Sequence, residues 1–240
     1  MKFTQTDISH LNNILNICSL VDIDAVIISA KGLRGVNAAR SCAFLTDKNL
    51  PQIEGEAQLG LSKLRTLKQR MDLFKTDPKI SIDAKQKPNG DFSNLDIKGS
   101  NASVQFRTAV ANSIKAPVAI EDTARKSIII TREEAQLILN AEKAMGAEKI
   151  TINVKKNNDV VVEFSDKSND VFSVALVNKA TSVGDDNDAF VNYYFTDVFS
   201  PVLRAAAAER PEVEVMVFEG SAIIDVNGYP LTLLSPMDID

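Results

Sequence analysis

His10 is the only histidine in the chain, and Cys18 and Cys42 are the only cysteines. A nucleophile–histidine–acid triad, a histidine metal cluster or a histidine acid–base pair each needs an imidazole beside its partners. His10 lies near the N-terminus, on the polar margin of a helical pattern, and has no second histidine to work with. The cysteines lack metal-ligand spacing and sit among apolar residues, the setting of small buried thiols. Gly32-Leu33-Arg34-Gly35 lacks the glycine spacing and the Lys-Ser/Thr ending of a phosphate-binding loop. Asp185, Asp186 and Asp188 stand close together, but no glycine and terminal glutamate follow at calcium-loop spacing, so they read as a polar turn. Folding could still bring carboxylates together. The expectation is a protein that is not an enzyme and holds no metal and no cofactor.

With chemistry set aside, the bulk composition limits the rest. The chain has 240 residues, which favours two domains of ordinary size over one. Hydrophobic residues make up 45% and mean hydropathy is -0.05, enough to bury a sizeable core. Aromatics reach only 6% and Trp is absent, so Leu, Ile, Val and Ala must build that core. The opening MKFTQTDISH lacks the apolar centre of a signal peptide and no apolar run is long enough to span a membrane; a cytoplasmic protein is expected. Asn101-Ala102-Ser103 is then a chance match to a glycosylation sequon. The net charge of -5 and pI of about 5.1 argue against coating nucleic acid by overall attraction. Any such contact must come from local arrangement.

Four segments carry helical periodicity and the remainder alternates like strand. The first helix is expected from Thr4 to Leu20, with Ile8, Leu11, Ile14, Leu15 and Cys18 on its apolar stripe. The second is expected over Leu61 to Phe74, with Leu61, Leu64, Leu67, Met71 and Phe74. Thr131-Arg132-Glu133-Glu134 is a capping box that opens a third helix, stopped near Gly146. The fourth runs from Asp197 or Ser200 to Glu209, with Pro201 in its first turn. Strand-like runs fill each half, among them Val36-Leu45, Ile53-Leu59 and Ser103-Val110 in the first and Phe172-Val177 and Pro230-Leu234 in the second. Asn89-Gly90, Asn157-Asn158-Asp159 and Asn227-Gly228 mark turns. Each half thus reads as a helix, about three strands, a second helix and about three more strands.

The faces opposite the apolar stripes share a character. They present Ser9, Asn13 and Asn16, with Asn12 at the margin, on the first helix. The second shows Ser62, Thr66 and Gln69 flanked by Lys63, Arg65 and Arg70. Arg132, Gln136 and Lys143 mark the third, and Arg204 among Ala205, Ala207 and Ala208 the fourth. Between Leu61 and Lys75 five cations (Lys63, Arg65, Lys68, Arg70, Lys75) oppose one acid, Asp72. Cations attract phosphates and neutral amides make exchangeable contacts, so such faces suit a nucleic-acid backbone met without base readout.

Three stretches carry a resemblance to a known family. Asp24-Ala25-Val26-Ile27-Ile28-Ser29-Ala30 followed by Val36-Asn37-Ala38-Ala39-Arg40 looks like a strand pair after a first helix. Ala116-Pro117-Val118-Ala119-Ile120-Glu121 sits where a connector belongs, and Tyr229-Pro230-Leu231-Thr232-Leu233-Leu234-Ser235-Pro236-Met237 resembles a last strand and Pro-containing tail. In these, and in layout over the whole chain, the sequence resembles the DNA polymerase sliding clamps, specifically the two-domain clamps of T-even-like bacteriophages and the proliferating cell nuclear antigen group. Lys87-Pro88-Asn89-Gly90-Asp91 and Gly184-Asp185-Asp186-Asn187-Asp188 depart from it as loop excursions without an aligned counterpart.

The resemblance implies an α+β fold of two similar clamp-type domains, 1–115 and 126–240, joined by a connector over 116–125. Each would pack two helices on antiparallel sheets, with three protomers closing a homotrimeric ring. The helix faces would then line a hole and meet duplex DNA through Asn13, Asn16, Lys63, Arg65, Gln69, Arg70, Arg132, Gln136, Lys143 and Arg204. DNA polymerase and a clamp loader would dock short peptides in a pocket of Pro117, Val118, Ile120, Leu233, Pro236 and Met237. The edge around Ser103-Val110 would pair with that around Phe172-Val177 of the next protomer. A phage-encoded clamp would work in the host cytoplasm. Two rival readings exist: a non-catalytic structural or virion protein assembling through strand edges, and a single-strand binding module, for which Phe92, Phe106, Tyr193 and Tyr194 are too dispersed among the basic residues.

Overall fold

The protein is described by a computed structural model for all residues other than 54, 88–89, 117–125, 167, 169, 184–188, 219 and 236–240. By internal contacts it divides into two compact units, Met1–Ala38 with Phe44–Ala119 and Ala39–Ala43 with Ile120–Asp240.

The first unit begins with α1 (Gln5–Leu20), continues through β1 (Ala25–Ser29), β2 (Gly32–Val36), β3 (Cys42–Thr46) and β4 (Gln58–Ser62) to α2 (Leu64–Asp72), and ends with β5 (Ser81–Gln86), β6 (Phe92–Lys98), β7 (Ser103–Arg107) and a single 3-10 turn at Ala111–Ser113. Its strands lie in the orders β3-β2-β1-β4 and β5-β6-β7. The second unit runs β8 (Lys126–Thr131), α3 (Arg132–Met145), β9 (Lys149–Val154), β10 (Val160–Ser165), β11 (Val171–Ala175), β12 (Thr181–Ser182), β13 (Phe190–Phe195), α4 (Thr196–Glu209), β14 (Glu212–Phe218), β15 (Ser221–Val226) and β16 (Tyr229–Leu234). Here the orders are β12-β8-β14-β15-β16 and β11-β10-β9-β13. Each unit is therefore a helix pair, α1 with α2 or α3 with α4, on antiparallel sheets. This is the expected α+β class.

The first helix of each unit starts in the same way. Thr4 and Thr131 accept from the amide of the residue three further on, while Asp7 and Glu134 accept back from the threonine amide. Two otherwise orphaned donors are satisfied at each start. The second carboxylate oxygen then reaches a distant amide, Gln52 for Asp7 at 3.1 Å and Val177 for Glu134 at 2.6 Å. Burial alone would raise the Asp7 pKa; the hydrogen bonds from Thr4 and Gln52, with His10 nearby, carry it below the ordinary carboxylate value. Gly146 ends α3 with φ 59, the left-handed backbone that glycine adopts without cost. The apolar stripes of α1 and α3 are buried, and the Cys18 and Cys42 thiols are wholly buried and not joined in a disulfide. Burial pushes the Cys42 thiol up to about 12, which makes it inert.

Four expectations about elements need correction. Leu61 is not helical: it lies in β4, and α2 starts only at Leu64 because Lys63 takes a left-handed backbone with φ 57. The strand expected at Ile53-Leu59 is accordingly displaced to Gln58–Ser62. Val36-Leu45 is not one strand but the end of β2, a turn with Arg40 at φ 55, and β3. The fourth helix starts earlier, at Thr196, so Pro201 is inside it, past the first turn, and gives up one helical hydrogen bond. The extra turn forms because Thr196 is buried and anchored, its hydroxyl donating to the Ala147 carbonyl at 2.7 Å. One close approach also fixes a residue type: a Cβ on Gly60 would meet the Ala109 carbonyl at 2.6 Å, across the bridge that ties the chain after β7 back to β4.

Candidate nucleic-acid interface and free sheet edges

On each unit the apolar stripes of the helix pair face the sheets, so the opposite faces are solvent-exposed. On α1, Ser9, Asn12 and Asn16 are exposed and Asn13 is half-buried. On α2, Arg65 and Gln69 are exposed, and Arg70 is half-buried; Lys63 is exposed at the helix start. Arg132, Gln136, Asn140 and Lys143 are exposed on α3, and Arg204 on α4, whereas Ala207 is buried against expectation.

The cations differ in how they are held. Arg65 pairs with Asp22 at 3.2 Å, but both side chains are more than 70% exposed, so the pair contributes little and exchanges easily. Lys68 pairs with Asp72 one turn on, at 3.1 Å. Arg132 Nε donates to the Ala207 carbonyl at 3.1 Å, satisfying one of the last-turn carbonyls of α4 that lack a helical partner. Arg70 donates to the Gln105 carbonyl at 3.0 Å and lies over the Phe106 ring. Gln136 donates to Asn140. Among the described residues Lys63, Lys143 and Arg204 make no ion pair.

Two clusters on the first unit bring these groups together. A groove between α1 and α2 has Ile8, Met71 and Phe74 as its floor and Asn12, Asn16, Lys68 and Lys75 on its rim. At the other end of the pair, Lys63, Arg65 and Thr66 gather with Ser19, Asp22 and Asp24. Asn12, Lys68 and Lys75 join the site although their wheel positions put them at the stripe's margin. A groove between two helices is built from flanks, which a single-helix wheel does not show. Of the expected peptide pocket, Pro117, Val118, Ile120, Pro236 and Met237 lie outside the described residues. Leu233 is wholly buried opposite Ala222.

The sheets supply a second feature. In an antiparallel ladder, residues alternate between bonding to the neighbour and aiming their N–H and C=O away from it. Gly99 donates to the Ala102 carbonyl and Thr108 to the Ser93 carbonyl. With Ile97 opposite Val104 and Leu95 opposite Phe106, the backbone groups of Ser103, Gln105 and Arg107 therefore point away from β6. The same count applies to β11. Leu176 donates to Val160 and Asp166 to Asp170, so Val171, Ser173 and Ala175 point away from β10. Among the described residues β7 and β11 have no further strand beside them. By contrast, the outer edge of β5 is covered by residues 1–3, through Phe3 to Ile82 and Ala84 to Met1. The β11 edge is also apolar, whereas the exposed residues of β7 are Ser103, Gln105 and Arg107. Val177, Val171, Leu137 and Phe172 are exposed by 84, 64, 47 and 38% around β11, and Leu73 and Val110 by 77 and 53% in the first unit. A soluble edge of this kind is normally blunted by charge or proline, and β11 (VFSVA) has neither.

No protein-family model matches the sequence, and no curated protein matches it. Solved structures do. PCNA from A. fulgidus, solved with the C-terminal region of FEN-1 bound, is 12% identical with a TM-score of 0.67, over 99% of this chain and 98% of that one. The PCNA2–PCNA3 complex from Sulfolobus tokodaii gives 14%, 0.64 and 99% of both chains. The fold is that of the sliding clamps. The clamp fold extends to DNA polymerase III subunit beta from Pseudomonas aeruginosa, 13% identical with a TM-score of 0.68, of which 64% is covered against 98% of this chain. Among the described residues no helix is long and apolar enough to cross a membrane.

Proposed function

We propose that the protein is a sliding clamp, a non-catalytic homotrimeric ring that encircles duplex DNA and tethers a polymerase. The whole-chain likeness to clamps carries the reading, and the character of the helix faces supports it. Holding DNA by topology requires few tight contacts, and tight ones would slow sliding. Amides on α1 and weakly held cations on α2, α3 and α4 suit a backbone that passes without being gripped. The acidic remainder of the chain would repel DNA from the outside while the cationic faces attract it. The DNA-facing set is Asn13, Asn16, Lys63, Arg65, Gln69, Arg132, Gln136, Lys143 and Arg204, with Asn12, Lys68 and Lys75 added from the groove. Arg70 is bound to the β7 edge and serves a different end, developed below.

The ring would close by pairing β7 of one protomer with β11 of the next, five residues on each side with three outward-pointing residues apiece. Closure would cover both of these edges and bury the apolar side chains around β11. Domain limits of 1–115 and 126–240 around a connector at 116–125 fit this arrangement. Polymerase and loader peptides would dock at the connector and C-terminal tail; that a clamp of this fold takes a short segment of a partner is supported by the A. fulgidus PCNA, solved with the C-terminal region of FEN-1 bound. Tethering then makes polymerase rebinding a local event at high effective concentration. Light scattering over a range of concentrations tests the ring. A mass near three times 26.2 kDa that falls only on dilution is expected; a firm monomer or closed dimer at high concentration refutes it.

A further inference from the structure

We propose that Arg70 is a latch that competes with ring closure, holding the β7 edge in a satisfied state whenever the neighbouring strand is absent. This rests on the ring reading above, in which the occupant of that edge is β11 of a second copy. Gln105 is the central outward-pointing residue of β7, and its carbonyl is an acceptor that an incoming strand must use. Arg70 Nη1 already donates to that oxygen at 3.0 Å, the distance at which the neighbour's amide nitrogen would sit. The guanidinium is steadied by the Phe106 ring, 5.5 Å from its centroid, so it is placed over the edge rather than swinging in solvent. A charge-assisted bond of this kind is stronger than a neutral one.

The other edge is capped in the complementary sense. Beyond Ala175 the next residue in the outward phase is Val177, and its amide donates to Glu134 Oε1 at 2.6 Å. One edge thus has an acceptor covered by a cation from α2, and the other a donor covered by an anion from α3. Three residues after each cap stands an exposed leucine, Leu73 just past the end of α2 and Leu137 within α3. Both places carry apolar surface for a neighbour beside a charged group that stands in for the neighbour's backbone. The consequence is a ring whose opened contact is not bare: Arg70 takes up Gln105 as β11 leaves, so opening is easier and reversible.

Arg70→Met tests this, because it keeps a stem over Phe106 and removes the donors. The readout is the exchange of fluorescently labelled protomers between full-length rings, with a thermal melt confirming the fold. The latch predicts that exchange slows about fivefold and that the trimer persists to lower concentration, the scale of one net hydrogen bond lost from the open state alone. Arg70→Lys, which keeps a donor, should fall between. A trimeric wild type whose Arg70→Met variant exchanges at an unchanged or faster rate overturns the latch and leaves the ring intact. A wild-type chain that is monomeric at every concentration overturns the ring reading and the latch with it.

Discussion

Ser173→Pro separates assembly from folding. Ser173 lies opposite Glu163 in β10, in the phase whose N–H and C=O point away from that strand. A proline there removes a backbone donor that the folded protomer does not use, along with an exposed 3.3 Å hydroxyl bond to Glu163, and edge strands accept proline on their outward side. The neighbouring Phe172 is already extended, as a residue before proline must be. The protomer should therefore melt within a few degrees of wild type. In the ring, each contact loses one backbone bond, about 1 kcal/mol or roughly fivefold, and the pyrrolidine ring also intrudes on a strand expected about 4.8 Å away. The trimer should be lost at concentrations where wild type is assembled. Val174→Pro is the control: Val174 is buried and ladder-bonded opposite Val162, so that variant should cost roughly 3 kcal/mol of protomer stability. Light scattering and thermal melting on both variants decide the matter. If Ser173→Pro assembles like wild type, β11 is not the contact. If it melts as low as Val174→Pro, the register assigned to β11 is wrong.

Lys143→Glu with Arg204→Glu should leave the trimer mass unchanged and shorten residence on DNA by about tenfold, with a shallower salt dependence because two phosphate-facing cations are gone; single-molecule residence times at several salt concentrations check it. Glu134→Ala removes three hydrogen bonds, two at the start of α3 and one to Val177, and should lower stability by roughly 2 kcal/mol in urea melts. Asp7 gives a pH dependence whose sign is fixed by its lowered folded pKa. Its contribution is complete above the unfolded value of about 3.9 and is lost as pH falls through the folded one. Asp7→Asn should flatten the decline in melting temperature below about pH 4; an unchanged slope would show that other carboxylates dominate.

Much of the helical framework was legible because it is local. Thr131 and Glu134 announce a helix start by type and spacing alone, and Gly146 announces its end. The matching start at Thr4 was less visible because Asp7 stands where a capping box usually has glutamate or glutamine. Leu61 misled because Leu61, Leu64 and Leu67 fit a helical period, while Leu59 and Leu61 equally fit a strand. The backbone reversal at Lys63, a residue type that rarely adopts it, decides between them. Pro201 misled because position within a helix depends on where the helix begins, and the anchor of Thr196 on Ala147 is a tertiary contact. The polar helix faces were readable from the wheel, but which cations are free to meet a phosphate was not. Arg70 and Gln105 are 35 residues apart, and nothing local to either marks the bond. Which backbone groups an edge strand turns outward depends on register, and register is set by pairing with β6 or β10.

Retention on linear duplex with free or blocked ends tests encirclement most directly, since a ring can thread onto an open end without a loader. The protein is first threaded on, the ends are then closed with bulky protein caps, and the salt is raised. The account predicts that protein trapped between caps stays on through a salt wash that strips electrostatic binders, and leaves promptly when a restriction cut reopens an end. Binding that is lost in salt regardless of the caps, or that survives the cut, would contradict it.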